Sequence, residues 1–272
     1  MKTAMIQMVS TGELTDNLSR AGELLAQAAA AGAELAVLPE YFCLIGPRDS
    51  DKLAIQEAYG SGPIQEFLSE TASRHGLWIV GGTIPLASEQ ADRVFNSSLA
   101  FNPQGECVAR YDKIHLFRFD NGAESYDESR VLVRGETPVR FALPSRDGHT
   151  WQIGLSVCYD LRFPEMYRLY AQSGVNLVLV PSAFTYTTGQ AHWEILLRAR
   201  AIENLVYVGA AAQGGVHPSG RATWGQSMVI DPWGQILAQQ AQGCGVVSAE
   251  LEFALLAQRR SQLPALQHRV LS

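Results

Sequence analysis

LAVLPEYF at residues 35–42 and LVLVPSAF at residues 177–184 repeat one pattern: a short aliphatic run, a proline that ends it, and a polar residue directly after. An unbroken apolar run of this length suits a strand covered on both faces, and proline cannot extend such a strand. Two further pairs follow in the same order. GLWIVGGT at residues 76–83 is echoed by NLVYVGAA at 204–211, and SLAFNPQGECVA at 98–109 by SMVIDPWGQILA at 227–238. Three matches in one order predict two similar β-rich halves, with two sheets packed face to face and helices outside. That is a layered α/β (α+β) architecture.

Working outward, residues 4–9 read as a first strand. Thr15 or Asp16 can cap a helix whose Leu18, Ala21, Leu25 and Ala28 share one face, and Gly32 stands where a helix C-cap belongs. A second helix is expected over residues 63–75 and a strand over 77–81. Asn102-Pro103-Gln104-Gly105 has type I turn chemistry and joins residues 98–101 to 106–111 as a hairpin. Residues 112–138 are polar with little periodicity, and a connection of that length usually carries function or covers a site.

Composition narrows the function classes. The 272 residues are 47% hydrophobic and 18% charged, an ordinary globular balance that fits a single domain over residues 1–272. The formal net charge of -6 argues against nucleic-acid and anionic-membrane partners. No apolar run approaches the roughly 20 residues of a membrane span, and residues 1–10 lack the features of a secretory signal. Cys43, Cys107, Cys158 and Cys244 are too sparse for a disulfide scaffold, which points to the cytoplasm. No Cys/His cluster has zinc-ligand spacing, so no metal is expected.

Cys158 closes the apolar run 151–157, and Pro164, Glu165 and Gly174 bound a helix just beyond it. It is therefore expected on a tight strand-to-helix turn, with the helix field favouring thiolate. Glu40 occupies the position that Ser182 holds in the second half, so Glu40 and Cys158 are expected on one rim of strand ends. Partial desolvation there raises a carboxylate's proton affinity towards that of a useful base. Lys113, in Tyr-Asp-Lys-Ile-His-Leu-Phe, is surrounded by apolar residues and must find an anion or reach solvent. Read singly, each residue also fits a bland role: a buried thiol, a turn carboxylate, a snorkelling lysine. His115 and His192 are alternative bases.

Together LPE at residues 38–40, YDKIHLF at 111–117 and CYDLRFPE at 158–165 resemble the nitrilase superfamily of carbon–nitrogen hydrolases over nearly the whole chain. The resemblance implies a four-layer αββα sandwich, homodimers or higher homo-oligomers, and no cofactor. It implies a triad of Glu40 as base, Lys113 and Cys158 as nucleophile, releasing ammonia from an amide through an acyl-thioester. Lys113 and the backbone N–H of Tyr159 would hold the oxyanion. A second family glutamate falls on Glu128, with Glu124 as the alternative. PSAFTYTTGQAHWEILLRARAIEN at 181–204 and the DPWG turn at Asp231 resemble the branch acting on short 2-oxo acid amides. Deaminated glutathione is the first expected substrate and 2-oxoglutaramate the second. In that branch Arg162, Phe184 and Thr188 match pocket residues, and Arg162 could pair with a substrate carboxylate. It could equally form a salt bridge with Asp160 or Glu165. Arg118-Phe119-Asp120-Asn121-Gly122 departs from the family's acidic, aliphatic stretch. Nitrile or N-carbamoyl hydrolysis on the same triad, and a silent interaction protein on the same fold, are the other readings.

Overall fold

A computed structural model describes residues 1–122 and 125–270. Its first sheet is built on β1 (Lys2–Gln7), β2 (Leu35–Val37) and β3 (Trp78–Val80), which run parallel. β4 (Ile84–Ala87), β5 (Val94–Phe101) and β6 (Cys107–Asp112) extend it in antiparallel fashion. β7 (Arg118–Asp120) and β8 (Ser125–Asp127) form a small hairpin, and β9 (Leu132–Val133) returns beside β5. The second sheet contains β10 (Val139–Pro144), β11 (Thr150–Leu155), β12 (Leu177–Leu179) and β13 (Tyr207–Ala210). After the hairpin of β14 (Gly214–Val216) and β15 (Ala222–Trp224), β16 (Ser227–Ile230) and β17 (Ile236–Gln240) complete it. β18 (Gly245–Glu250) crosses back to pair antiparallel with β1.

That crossing makes the two halves equivalent. The order β18, β1, β2, β3, β5, β6 is matched by β10, β11, β12, β13, β16, β17, with the same run of antiparallel and parallel pairings. The hairpin turns agree atom for atom. Gly105 donates to Asn102 O at 2.9 Å and Gly234 to Asp231 O at 3.0 Å. The side chains of Asn102 and Asp231 each accept two further backbone N–H groups. Both hairpins shift register at the same place, between Ala100 and Phe101 and between Val229 and Ile230. The internal repeat is structural, not a chance likeness among strands.

Helices α1 (Leu14–Ala30) and α2 (Pro63–His75) cover the first sheet, while α3 (Pro164–Gln172) and α4 (Tyr186–Asn204) cover the second; α5 (Phe253–Gln262) follows β18. Strand alternation sorts the layers. Ala4 and Ile6 of β1, Ala36 of β2 and Leu38 just after it face α1 and α2 with Leu24, Leu25, Ile64 and Leu68. Met5, Leu35 and Val37 turn the other way, into a core shared with Leu177 and Leu179. This is the αββα sandwich. No helix among the described residues is long and apolar enough to cross a membrane.

Three local expectations shift. The first strand spans Lys2–Gln7 instead of 4–9, because β18 pairs along it from Lys2 onward. Thr15 and Asp16 lie inside α1, with Glu13 at its N-cap. Asn17 and Thr11 tie the entry instead: Asn17 Oδ1 accepts the Thr11 N–H at 2.8 Å, and Thr11 Oγ1 that of Glu13 at 3.0 Å. The stretch 112–138 contains the β7–β8 hairpin and β9, and its exposed sequence hides them because so little of either is buried on one face.

Candidate active site

Glu40 follows β2 and Pro39 at a sharp bend. Tyr41 takes a left-handed conformation, φ 55°, and its N–H is held by Thr83 Oγ1 at 2.9 Å. The carboxylate is 1% exposed. Its Oε1 accepts from Lys113 Nζ at 2.9 Å and from Asn96 Nδ2 at 2.9 Å, and its Oε2 from the Ala183 N–H at 2.9 Å. Ala183 belongs to the repeat of the same motif, so this one side chain joins the ends of β2 and β12.

Lys113 comes one residue after β6 and is completely buried, which disposes of the snorkelling reading. Besides Glu40 its ammonium donates to both oxygens of Glu128, at 2.9 and 2.8 Å. Glu128 opens a short 3-10 turn and also accepts the Phe117 N–H at 2.7 Å and the Tyr41 hydroxyl at 2.9 Å. Two carboxylates thus share one ammonium. Burial, reinforced by the Glu128 charge, pushes the Glu40 carboxyl above its ordinary 4.5 despite Lys113. In Glu128 burial is outweighed by the Lys113 charge and by hydrogen bonds, and the carboxyl is held low. Burial opposes the Lys113 charge too, but the two carboxylates push its affinity well above 10.5.

Cys158 stands at φ 49°, directly after β11 and its short extension, and its N–H donates to Pro181 O at 2.9 Å. It starts a 3-10 turn, Cys158–Arg162, and α3 begins two residues later at Pro164. The expected thiolate is corrected here. Burial, then the negative charge of Glu40, drive the thiol well above 9.0, although Lys113 opposes them. The Cys158 thiol lines the same cleft as Glu40, whose charge is among the causes of that rise. Glu40 is where its proton can go.

Asp160 fixes the turn. Fully buried, it accepts the Tyr111 hydroxyl at 2.6 Å, the Val157 N–H at 2.8 Å and the His115 N–H at 3.1 Å. His115 Nδ1 also lies 2.7 Å from Asp160 and its ring stacks on Phe163 at 3.6 Å, so His115 is committed to this anchor. His192 Nδ1 sits 3.3 Å from an Arg162 nitrogen instead of beside the thiol. Among the described residues no ion pair joins Arg162 to Asp160 or Glu165; its guanidinium lies over Tyr159 and Phe184. Trp193 is buried and packs α4 against Phe184, its indole N–H donating to Gln226 O. Glu124 lies outside the described residues.

The cleft over Cys158 has two lobes sharing Phe117, Cys158, Ala183 and Thr185. The smaller, about 210 Å³, adds Tyr159, Arg162, Phe184 and Thr188. The larger, about 810 Å³ and partly open to solvent, adds Glu40 and Glu128 with Tyr41, Lys52 and Arg221. Asn96 and Tyr41 were missed by the sequence reading, as was the anchoring role of Asp160. Asn96 had a usable signal, since an Asn amid the strand residues VFNSS needs a reason to be there.

A sandwich whose rim gathers a buried Glu, Lys and Cys has the layout of a nitrilase-like hydrolase. The model of the carbon-nitrogen hydrolase family matches residues 2–261, and the chain belongs to that family. A deaminated glutathione amidase from Synechocystis is 40% identical over 98% of this chain and 97% of its own. The mouse omega-amidase NIT2 is 35% identical over 98% of this chain and 94% of its own. Among solved structures the C. elegans NitFhit protein superposes with a TM-score of 0.88 at 34% identity, over 99% of this chain and 65% of that one. The chain is thus an enzyme that hydrolyses carbon–nitrogen bonds other than peptide bonds.

Proposed function

We propose that this enzyme hydrolyses the amide of a small 2-oxo acid amide such as deaminated glutathione, through an acyl-thioester on Cys158. The reading rests on one observation above all: the Glu40 carboxylate, buried, shifted upward and paired with Lys113, lines one cleft with the Cys158 thiol. Glu40 takes the thiol proton as sulfur attacks the carbonyl carbon. The oxyanion is stabilised by the fixed charge of Lys113 and by the Tyr159 N–H. Tyr159 is suited to this because the first bond of its 3-10 turn comes from Asp160 to Val157 O, leaving the Tyr159 N–H ahead of it. Protonated Glu40 then gives its proton to the departing nitrogen. This leaves as ammonia from a primary amide, or as an amine from a secondary amide such as deaminated glutathione. Water activated by the same carboxylate cleaves the thioester. Glu128 holds Lys113 in position, and Arg162, with Phe184 and Thr188, takes the carboxylate beside the 2-oxo group.

Formation of 2-oxoglutarate from deaminated glutathione and from 2-oxoglutaramate tests this, with simple amides, nitriles and N-carbamoyl amino acids as comparisons. Turnover of a 2-oxo acid amide that disappears in Cys158→Ala is expected. No turnover of any compound, with Cys158→Ala indistinguishable from wild type, overturns the reading.

We also infer one domain over residues 1–272, working in the cytoplasm as a homodimer or larger homo-oligomer. Ile195 and Ile202, seven residues apart on one side of α4, are both exposed, an apolar stripe of the kind that subunits cover. Light scattering that returns a monomer mass at micromolar concentration would overturn the oligomer.

A further inference from the structure

The two lobes of the cleft differ in what they can receive. Glu40, which must hand a proton to the departing nitrogen, lines the larger lobe and not the smaller. On the proposed reaction, then, the leaving amine lies in the larger lobe and the acyl part in the smaller one with Arg162. The larger lobe runs from Glu40 and Cys158 out to Arg48 and Arg221 and opens to solvent, a longer path than ammonia needs. The lobe suits an amine with several heavy atoms of its own.

That lobe also carries a cation without an acidic partner at ion-pair distance. Lys52, half-buried, comes from the turn Asp49–Ile55, and its ammonium lies 4.3 Å from the centroid of the Tyr41 ring. The other two basic residues of the lobe are already matched: Arg48 pairs with Asp51 at 3.0 Å and Arg221 with Asp49 at 2.5 Å. No ion pair of Lys52 is found among the described residues. The Tyr41 beneath it gives its hydroxyl to Glu128, so the ammonium is held over a fixed ring. Desolvation lowers its proton affinity, with Glu128 and Asp49 resisting, and an added anion would offset that cost.

We propose that Lys52, with Arg221 beside it, forms a second anion subsite that takes a carboxylate on the leaving-amine side of the substrate. Together with Arg162 it would select amides with a carboxylate at each end and the scissile bond between them over Cys158. The inference rests on the proposed function and sharpens it, since ammonia as leaving group would leave Lys52 without a role in binding. Lys52 could instead merely support Tyr41, and the two roles separate in one comparison.

The probe is deaminated glutathione with its terminal glycine as the free carboxylate or as the neutral carboxamide. Wild type should prefer the carboxylate in kcat/KM by roughly tenfold, the effect of one charge-assisted contact. Lys52→Met should bring that ratio close to one, and Lys52→Arg should keep most of it. A support for Tyr41 alone would lower both substrates together and leave the ratio unchanged, which overturns the subsite. A wild-type ratio near one overturns it as well, while brisk turnover of both forms leaves the proposed function standing. Failure of wild type on both forms removes the proposed function, and the subsite with it.

Discussion

A single buried ammonium between two carboxylates decides the protonation chemistry of this site. Lys113 pulls Glu128 down, whereas Glu40, deeper and under the influence of Glu128, stays above its ordinary value. In the proposed mechanism Glu40 must be ionised to accept the thiol proton, so activity should belong to the pH range above its raised pKa and fall as pH drops through it. The acid limb of kcat/KM should therefore lie above 4.5, the ordinary value for the group. Glu128→Gln removes one cause of the upward shift and leaves Lys113 to act on Glu40 alone. The limb should move to lower pH while kcat falls. A pH profile whose limb stays fixed in Glu128→Gln would mean that another group sets it. The sequence made Glu40, Lys113, Glu128 and Cys158 legible through their motifs, but not the state of the thiol. A helix N-terminus at Pro164 argues for thiolate, yet burial and the charge of Glu40 push the thiol the other way. Burial of that depth depends on residues from both halves, which no local pattern records.

Elements that bury a whole face were readable, and those that bury little were not. α2 came out at its observed limits because Pro63 and Gly76 mark both ends, Gly76 at φ 59° in the left-handed C-cap. The turns at Asn102 and Asp231 were readable for a similar reason: an Asx side chain, a proline and a glycine each meet one geometric demand of the same turn. β7, β8 and β9 are two or three residues long and half exposed, so they carry no period to detect. Yet the segment they occupy delivers Glu128 to Lys113, and the Phe117 N–H anchors it there. The Arg118-to-Gly122 departure falls on β7 and the tip beyond it, away from the Lys113 contact. None of those five residues lines either lobe of the cleft.

At the scale of the molecule, the sandwich exists because β1, β2 and their repeats hide both faces, and the site exists because the two sheets are fixed relative to each other. Glu40 reaches Ala183 across that boundary, and Tyr111 reaches Asp160. The sheets meet closely where Gly209 of β13 lies under Met5 of β1: a Cβ at Gly209 would stand 2.9 Å from the methionine sulfur and 3.2 Å from a Leu179 methyl. Gly209→Val should therefore force the sheets apart or drive Met5 off its rotamer, at a cost of about 1–3 kcal/mol. Met5→Ala on its own leaves a cavity and should also destabilise, by roughly 2–5 kcal/mol. If the contact is what separates the sheets, the added valine fills part of the space that alanine vacates. The double variant should then lose clearly less than the sum of the single losses, as chemical denaturation of the four proteins would read. Additive losses would show that the two residues do not press on each other. In that case the glycine in NLVYVGAA would have to be explained by the backbone of β13, not by the neighbouring sheet.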